Sequence, residues 1–204
     1  MIIIETVSFS DAIKYPFKAP KKLLYALLLL IPILGWLIIL GYIVRQVNEF
    51  IEGRYEEPLD IALIEDLKLG AITFVKALPF GIAYVIVILA ITYVSPTLGS
   101  LISLLLEIFV VPILMVNFFR KQTIESFFEF DIFNVAKNNL EDYIVTALKQ
   151  YILLIVFAIL SIILIGIPAM ILTYSMLIAN FYGRSIEQKN ALAIKTQTKD
   201  PLTI

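Results

Sequence analysis

The chain alternates long uncharged runs with short charged ones. Segments 23–44, 77–94 and 98–119 each supply about the twenty apolar residues that a helix needs to cross a hydrocarbon core of about 30 Å. From Tyr151 to Tyr182 there is again no charge. As one helix that stretch would be roughly 48 Å long, too long for a single crossing. Gly166 and Pro168 interrupt it, and Gly-x-Pro breaks a helix, so the pattern predicts two helices over 148–165 and 168–183. The expected fold is all-α: one polytopic helical membrane domain over 1–204, with about five transmembrane helices plus amphipathic interfacial helices.

The polar segments are not plain loops. In 46–69, Val47, Phe50 and Ile51, then Ile61, Leu63, Ile64 and Leu67, recur at helical spacing. Segment 122–147 sets Phe127, Phe128, Phe130, Phe133 and Tyr143 among acids. These two stretches and 2–17 are expected to lie in the interface, apolar face towards the lipid. Because they are not basic, attraction to anionic lipid is weak. Phe127, Phe128, Phe130 and Phe133 are therefore a candidate partner face, packing under the bundle or against another protein.

Charge sets an expected orientation. With five crossings, Arg45, Arg54, Lys68, Lys76, Arg120, Lys121, Lys137, Lys149, Arg184, Lys189, Lys195 and Lys199 share one side, against Lys14, Lys18, Lys21 and Lys22 on the other. The positive-inside rule places the larger group, and the C-terminus, in the cytoplasm of a cell membrane and the N-terminus outside. An alternative makes 23–44 a re-entrant hairpin broken at 31–35, which leaves all sixteen basic residues inside. Residues 1–22 place apolar residues ahead of lysines and lack a small-residue cleavage site, so no removable signal peptide is expected.

Composition agrees with this setting: 60% hydrophobic residues, 16% charged and a mean hydropathy of +0.94 lie outside the soluble range. A net charge of -1 offers no basic stripe for nucleic acid. The chain has no cysteine and no histidine, which removes disulfides, thiol nucleophiles and imidazole chemistry. No cofactor or metal is expected. The acidic runs Glu56, Glu57, Asp60 and Glu125, Glu129, Asp131 lack the spacing of an oxygen-ligand loop, so the chain does not read as an enzyme.

One carboxylate stands apart. Glu107 falls near the middle of the third run, where an unpaired ionised group costs several kcal/mol, so it must be protonated, paired or facing water. Ser103 and Ser100 lie four and seven residues before it, on the same helical face, which should point into the bundle or a subunit contact. If the hairpin turns at 95–97, the Tyr84 hydroxyl is its best local partner, and Lys76 falls near Asn117. The carboxyl is then a helix lock, a proton or ion relay, or part of a ligand site. Arg45, Arg120 and Arg184 close three runs in similar contexts, as part of a weak internal repeat in which Glu65-Asp66 and Glu141-Asp142 open two related units. Three such arginines are interfacial anchors, or together hold a lipid phosphate if the helix ends converge.

Several local patterns carry a family likeness. They are Tyr15-Pro16-Phe17 before the first run, Gly41-Tyr42-Ile43-Val44-Arg45 closing it, and the 53–58 segment that follows. Leu78-Pro79, Phe128-Glu129-Phe130-Asp131 and Tyr182-Gly183-Arg184 continue the series. In these the chain resembles the mostly archaeal, uncharacterised membrane proteins grouped as domain of unknown function 4013. The resemblance implies a multi-spanning helical domain and assigns no activity. The expected function is a non-catalytic scaffold, assembly or accessory subunit, with the lipid bilayer and a homo-oligomer or membrane-protein partner around it. The alternatives are a small oligomeric transporter with Glu107 as coupling residue and a lipid-handling protein using the three arginines.

Overall fold

The structure, a computed structural model, describes residues 4–129 and 132–199, the side chains of 192–199 excepted. It is helical throughout, with 82% helix and no strand among the described residues. A short helix α1 (Phe9–Lys14) leads through 3₁₀ turns to α2 (Leu34–Ile51), α3 (Leu63–Val94), α4 (Pro96–Phe109) and α5 (Val111–Lys121). There follow α6 (Ile132–Asn138), α7 (Leu140–Leu160), α8 (Gly166–Leu172) and α9 (Met176–Lys199). Three helices, α2, α3 and α7 with its 3₁₀ extension to Ile163, are long and apolar enough to cross a membrane; the bent pair α4–α5 makes a fourth if it is one span.

The elements fold as three helical hairpins. In the first, a 3₁₀ segment (Pro20–Leu30) packs back along α2. The single helix expected over 23–44 is therefore corrected to the broken form. Pro32 has no N–H to donate, and Ile33 turns the chain at φ 63°, a value rare for a β-branched residue. Gly35 completes the turn: a Cβ there would lie 1.8 Å from the Leu28 carbonyl oxygen.

The second hairpin joins α3 to α4 at Ser95, whose hydroxyl caps α4 by accepting from the Leu98 N–H at 3.4 Å. Here the interfacial helix expected over 46–69 is absent as such. Helix α2 runs on to Ile51 and α3 begins at Leu63, so only 52–62 is loop. The apolar positions of this stretch belong to the long helices, and the hydrophobic period continues through them without a break. Segment 122–147 divides likewise: the 3₁₀ turn Glu125–Phe127 and α6 are separate pieces, and α7 opens at Leu140. Segment 2–17 contributes α1 and the start of a 3₁₀ turn.

The third hairpin turns at Leu164, in the left-handed region, and returns through α8. The helix expected over 168–183 is broken: after Leu172 a turn with Ser175 at φ 52° starts α9. Side chains of α2, α5 and α9 make the dry core, with Val47, Phe50, Val116, Phe118, Ile178 and Phe181 fully enclosed. Tyr15 and Ala12 of the N-terminal segment close it from below. Helices α2 and α3 touch backbone to backbone, because a Cβ on Gly70 would meet the Leu37 carbonyl oxygen at 1.8 Å and one on Gly41 the Asp66 carbonyl oxygen at 1.9 Å.

Gly70→Val is thus expected to destabilise the chain by about 1–3 kcal/mol or more through overpacking. Gly81→Ala, where a new Cβ meets nothing within 4 Å, should be neutral or stabilising by about 0.5–1 kcal/mol. Apparent melting temperatures of the two variants in one detergent check the contrast.

Candidate functional site

Glu107 lies on α4 two residues before the helix ends. The Tyr84 hydroxyl of α3 donates to its Oε1 at 3.3 Å. Ser100 and Ser103 share its face but serve their own helix, donating to the carbonyls of Pro96 at 2.9 Å and of Ser100 at 3.1 Å. Of the two settings expected for the stripe, the interior of the bundle is corrected and a subunit contact stays open: Glu107 and Ser100 are exposed, on the outside of the second hairpin. No residue of α3 from 74 to 94 is buried either.

Just beyond Glu107 the helix breaks. The single span expected over 98–119 becomes α4 and α5 bent by 44°. Pro112 is the cause, since its ring excludes a straight helical course past the residue four before it. The Phe109 carbonyl at the bend accepts from the Tyr143 hydroxyl of α7. The third hairpin thereby takes up a polar group that the bend leaves open. Lys76, expected near Asn117, donates instead to the Gln122 carbonyl at 2.6 Å.

The three arginines sit at the ends of the core helices, and each has its own acid. Arg45 grips the fully buried Asp66 with two nitrogens, Nε to Oδ1 at 2.6 Å and Nη2 to Oδ2 at 2.8 Å. Arg120 meets Glu52 at 2.9 Å, and Arg184 meets Asp142 at 3.1 Å. Each guanidinium is thus engaged by a different carboxylate. The Arg120 and Arg54 guanidiniums hold the Glu52 carboxyl below its ordinary 4.5. Beside them is a cleft of about 450 Å³ lined by Ile4, Arg120, Glu187 and Asn190 among others. Glu187 accepts there from the Ile4 N–H at 2.9 Å through one oxygen, and its other oxygen finds no partner among the described residues.

The aromatic face is also rearranged. Phe127 is buried, stacked on Phe80 with ring centres 4.3 Å apart and on Phe118 at 4.2 Å, so it is core rather than partner face. Phe133 packs against the core, Phe128 is exposed, and Phe130 lies outside the described residues. Alternation within a short aromatic run sends neighbours in opposite directions, and composition does not say which faces in.

The N-terminal lysines fold onto the loop that was expected across a membrane from them. Lys22 pairs with Asp60 at 3.2 Å and reaches the Pro58 carbonyl, and Lys18 donates to the Tyr55 carbonyl at 3.1 Å. Both segments therefore occupy one end of the molecule. The broken first hairpin returns the chain to the end from which it started.

Sequence reasoning passed over the buried amides. Gln46 donates to the Tyr15 hydroxyl at 2.7 Å and accepts from the Leu59 N–H at 2.9 Å. Gln150 accepts from the Leu177 N–H at 3.0 Å, repairing the break before α9. Asn117 donates to the Ser126 carbonyl and accepts from the Tyr182 hydroxyl, and Asn180 holds the N-terminal segment at Glu5 and Val7. Each is an uncharged polar residue inside or at the edge of an apolar run, and that was the available signal. No protein-family model, curated protein or solved structure matches the chain.

Arg45→Met strands a buried carboxylate and is expected to cost about 3–5 kcal/mol. Arg120→Met breaks an exposed pair and should cost about 0–1 kcal/mol. Because the Glu52 carboxyl is depressed on folding, its contribution is complete above pH 4.5 and fades as the pH falls below it. Melting curves from pH 3 to 7 should show that acid limb, and Glu52→Gln should flatten part of it.

Proposed function

We propose that this chain is a membrane-embedded protein that acts without catalysis, as a scaffold, assembly or accessory subunit, with its charged end in the cytoplasm. Support for the setting comes from charge. With the N-terminal lysines against the 52–62 loop, all sixteen basic residues fall on one side of a bilayer, as the positive-inside rule favours. The resemblance noted in the sequence is consistent with such a setting and adds no activity.

The observation that carries the scaffold role is the Glu107–Tyr84 pair on the open face of the second hairpin. In hydrocarbon, polar side chains on an outer helix face are best satisfied by another helix. The face beside the pair carries a shallow groove along Ala77, Gly81 and Val85, which we assign to a helix of a second copy. Glu107 points outward from the chain, and its bond to Tyr84 occupies it as a lock between α3 and α4. The groove and the pair together make a surface for assembly.

Val85→Cys placed in native membranes is expected to give an oxidatively linked dimer. Glu107→Gln should reduce that yield several-fold while monomer folding is kept. Vesicles carrying the protein should pass protons no faster than empty ones. A proton flux that Glu107→Gln abolishes would overturn the scaffold reading in favour of a transporter.

A further inference from the structure

The three hairpins differ in depth and in the chemistry of their tips. From Leu34 to Val44 the first hairpin has eleven uncharged residues, about 16 Å of helix. Its other limb, Leu23 to Leu30, is 3₁₀ and at about 2.0 Å per residue also rises about 16 Å. The two limbs agree, and their length is about half of a 30 Å hydrocarbon core. The second hairpin is deeper: Phe74 of α3 lines one cleft with Ile33 and Trp36 of the first tip, and α3 runs on to Val94, about 30 Å of helix beyond that level. In the third, Gln150 to Leu160 and the 3₁₀ turn to Ile163 rise about 22 Å together.

Tip chemistry follows depth. The deepest hairpin turns through Ser95 and Thr97, with the hydroxyl cap on α4 and Tyr93 93% exposed beside it, as at a headgroup boundary. The shallower tips carry no charged residue and almost no polar one. Ile33, Leu34 and Trp36 stand out from the first, and Ile162, Ile163 and Leu164 from the third, all exposed. Their backbones are largely self-contained. In the first tip the N–H groups of Ile31, Leu34 and Gly35 donate to Leu28, Pro32 and Ile31, and the Trp36 indole donates to Leu29. In the third, Leu164 donates to Ser161, whose hydroxyl turns back to Phe157. Pro32 and Pro168 have no N–H to satisfy. A turn that meets its own hydrogen-bonding demand and shows only aliphatic surface is suited to hydrocarbon and costly in water.

We infer that the first and third hairpins are re-entrant, with their tips at 31–36 and 161–167 ending among lipid acyl chains, while only the second reaches the far headgroups. This rests on the membrane reading above and goes beyond it. The chain enters and leaves on the charged side six times, yet two hairpins stop short of the other surface. It therefore displaces more lipid from the near leaflet than from the far one, a wedge that senses or sets bilayer curvature.

The chain has no cysteine, so single thiols report position directly. Glu56→Cys, Thr97→Cys, Leu34→Cys and Ile163→Cys are reconstituted in phosphatidylcholine vesicles and treated with a membrane-impermeant maleimide from each side. Thiol alkylation needs the thiolate, hence water. Glu56→Cys should label from one side and Thr97→Cys from the other, with complete loss of labelling at Leu34→Cys and Ile163→Cys until detergent dissolves the bilayer. A fluorophore attached at those two positions before reconstitution should be quenched by lipids brominated along their chains. If either substitution impairs reconstitution, Leu30→Cys and Ile162→Cys take its place. Labelling of a tip from the Thr97 side in intact vesicles would mean that its hairpin crosses, and would overturn the inference while leaving the chain membrane-bound. Release of the chain from vesicles by alkaline carbonate would instead overturn the membrane reading and the inference with it.

Discussion

Asp66, without solvent exposure, is the point from which the charged end of the molecule is organised. Its carboxylate takes two bonds from Arg45 and one from the Ala62 N–H at 2.8 Å, so α3 cannot start without meeting the end of α2. A buried charge of this kind persists only when paired and fully hydrogen-bonded. The pairing sets the crossing at which Gly41 and Gly70 let the two backbones touch. It also fixes the 52–62 loop, since Arg45 donates to the Asp60 carbonyl at 2.8 Å and presents Asp60 to Lys22 and Tyr25. The first hairpin is thereby tied to the second through side chains from four separate segments.

The remaining junctions obey the same rule with weaker groups. At three helix breaks a side chain from elsewhere or from the turn itself meets the open backbone: Tyr143 at Phe109, Gln150 at Leu177, Trp36 at Leu29. Net gain from one such bond is about 1 kcal/mol, but leaving a buried group open costs about 1–3 kcal/mol. The amides and tyrosines are thus what permits broken helices in so apolar a chain. The apolar core at α2, α5 and α9 then packs between junctions already held in place.

A division of labour follows along the molecular axis. One end holds the ion pairs, the buried amides and the dense aromatic packing of Phe80, Phe127 and Phe118. The other end is aliphatic surface with no comparable interior. Glu107 is the exception, an exposed acid on the second hairpin held by one tyrosine. Its position beside the groove at Ala77, Gly81 and Val85 sets the proposed assembly surface on the second hairpin, while the aliphatic tips of the first and third hairpins carry the proposed re-entrant insertion.

The sequence by itself determined the apolar runs, the all-helical class and the places where helices cannot continue, because hydropathy, proline and glycine act within a turn or two of their own position. Counting around a turn at 95–97 was enough to put Tyr84 opposite Glu107, since residues in a tight hairpin are related by arithmetic. Only the tertiary structure decided that 23–44 folds back, because Pro32 permits either a kink or a reversal and the choice rests on Gly35 meeting Leu28 and Lys22 meeting Asp60. It likewise decided that Phe127 is core and Phe128 surface, and that Arg45, Arg120 and Arg184 each find a separate acid. Partners such as Arg120 and Glu52 stand 68 residues apart, and which acid a guanidinium meets depends on how helices cross, a property that no local pattern of residues encodes.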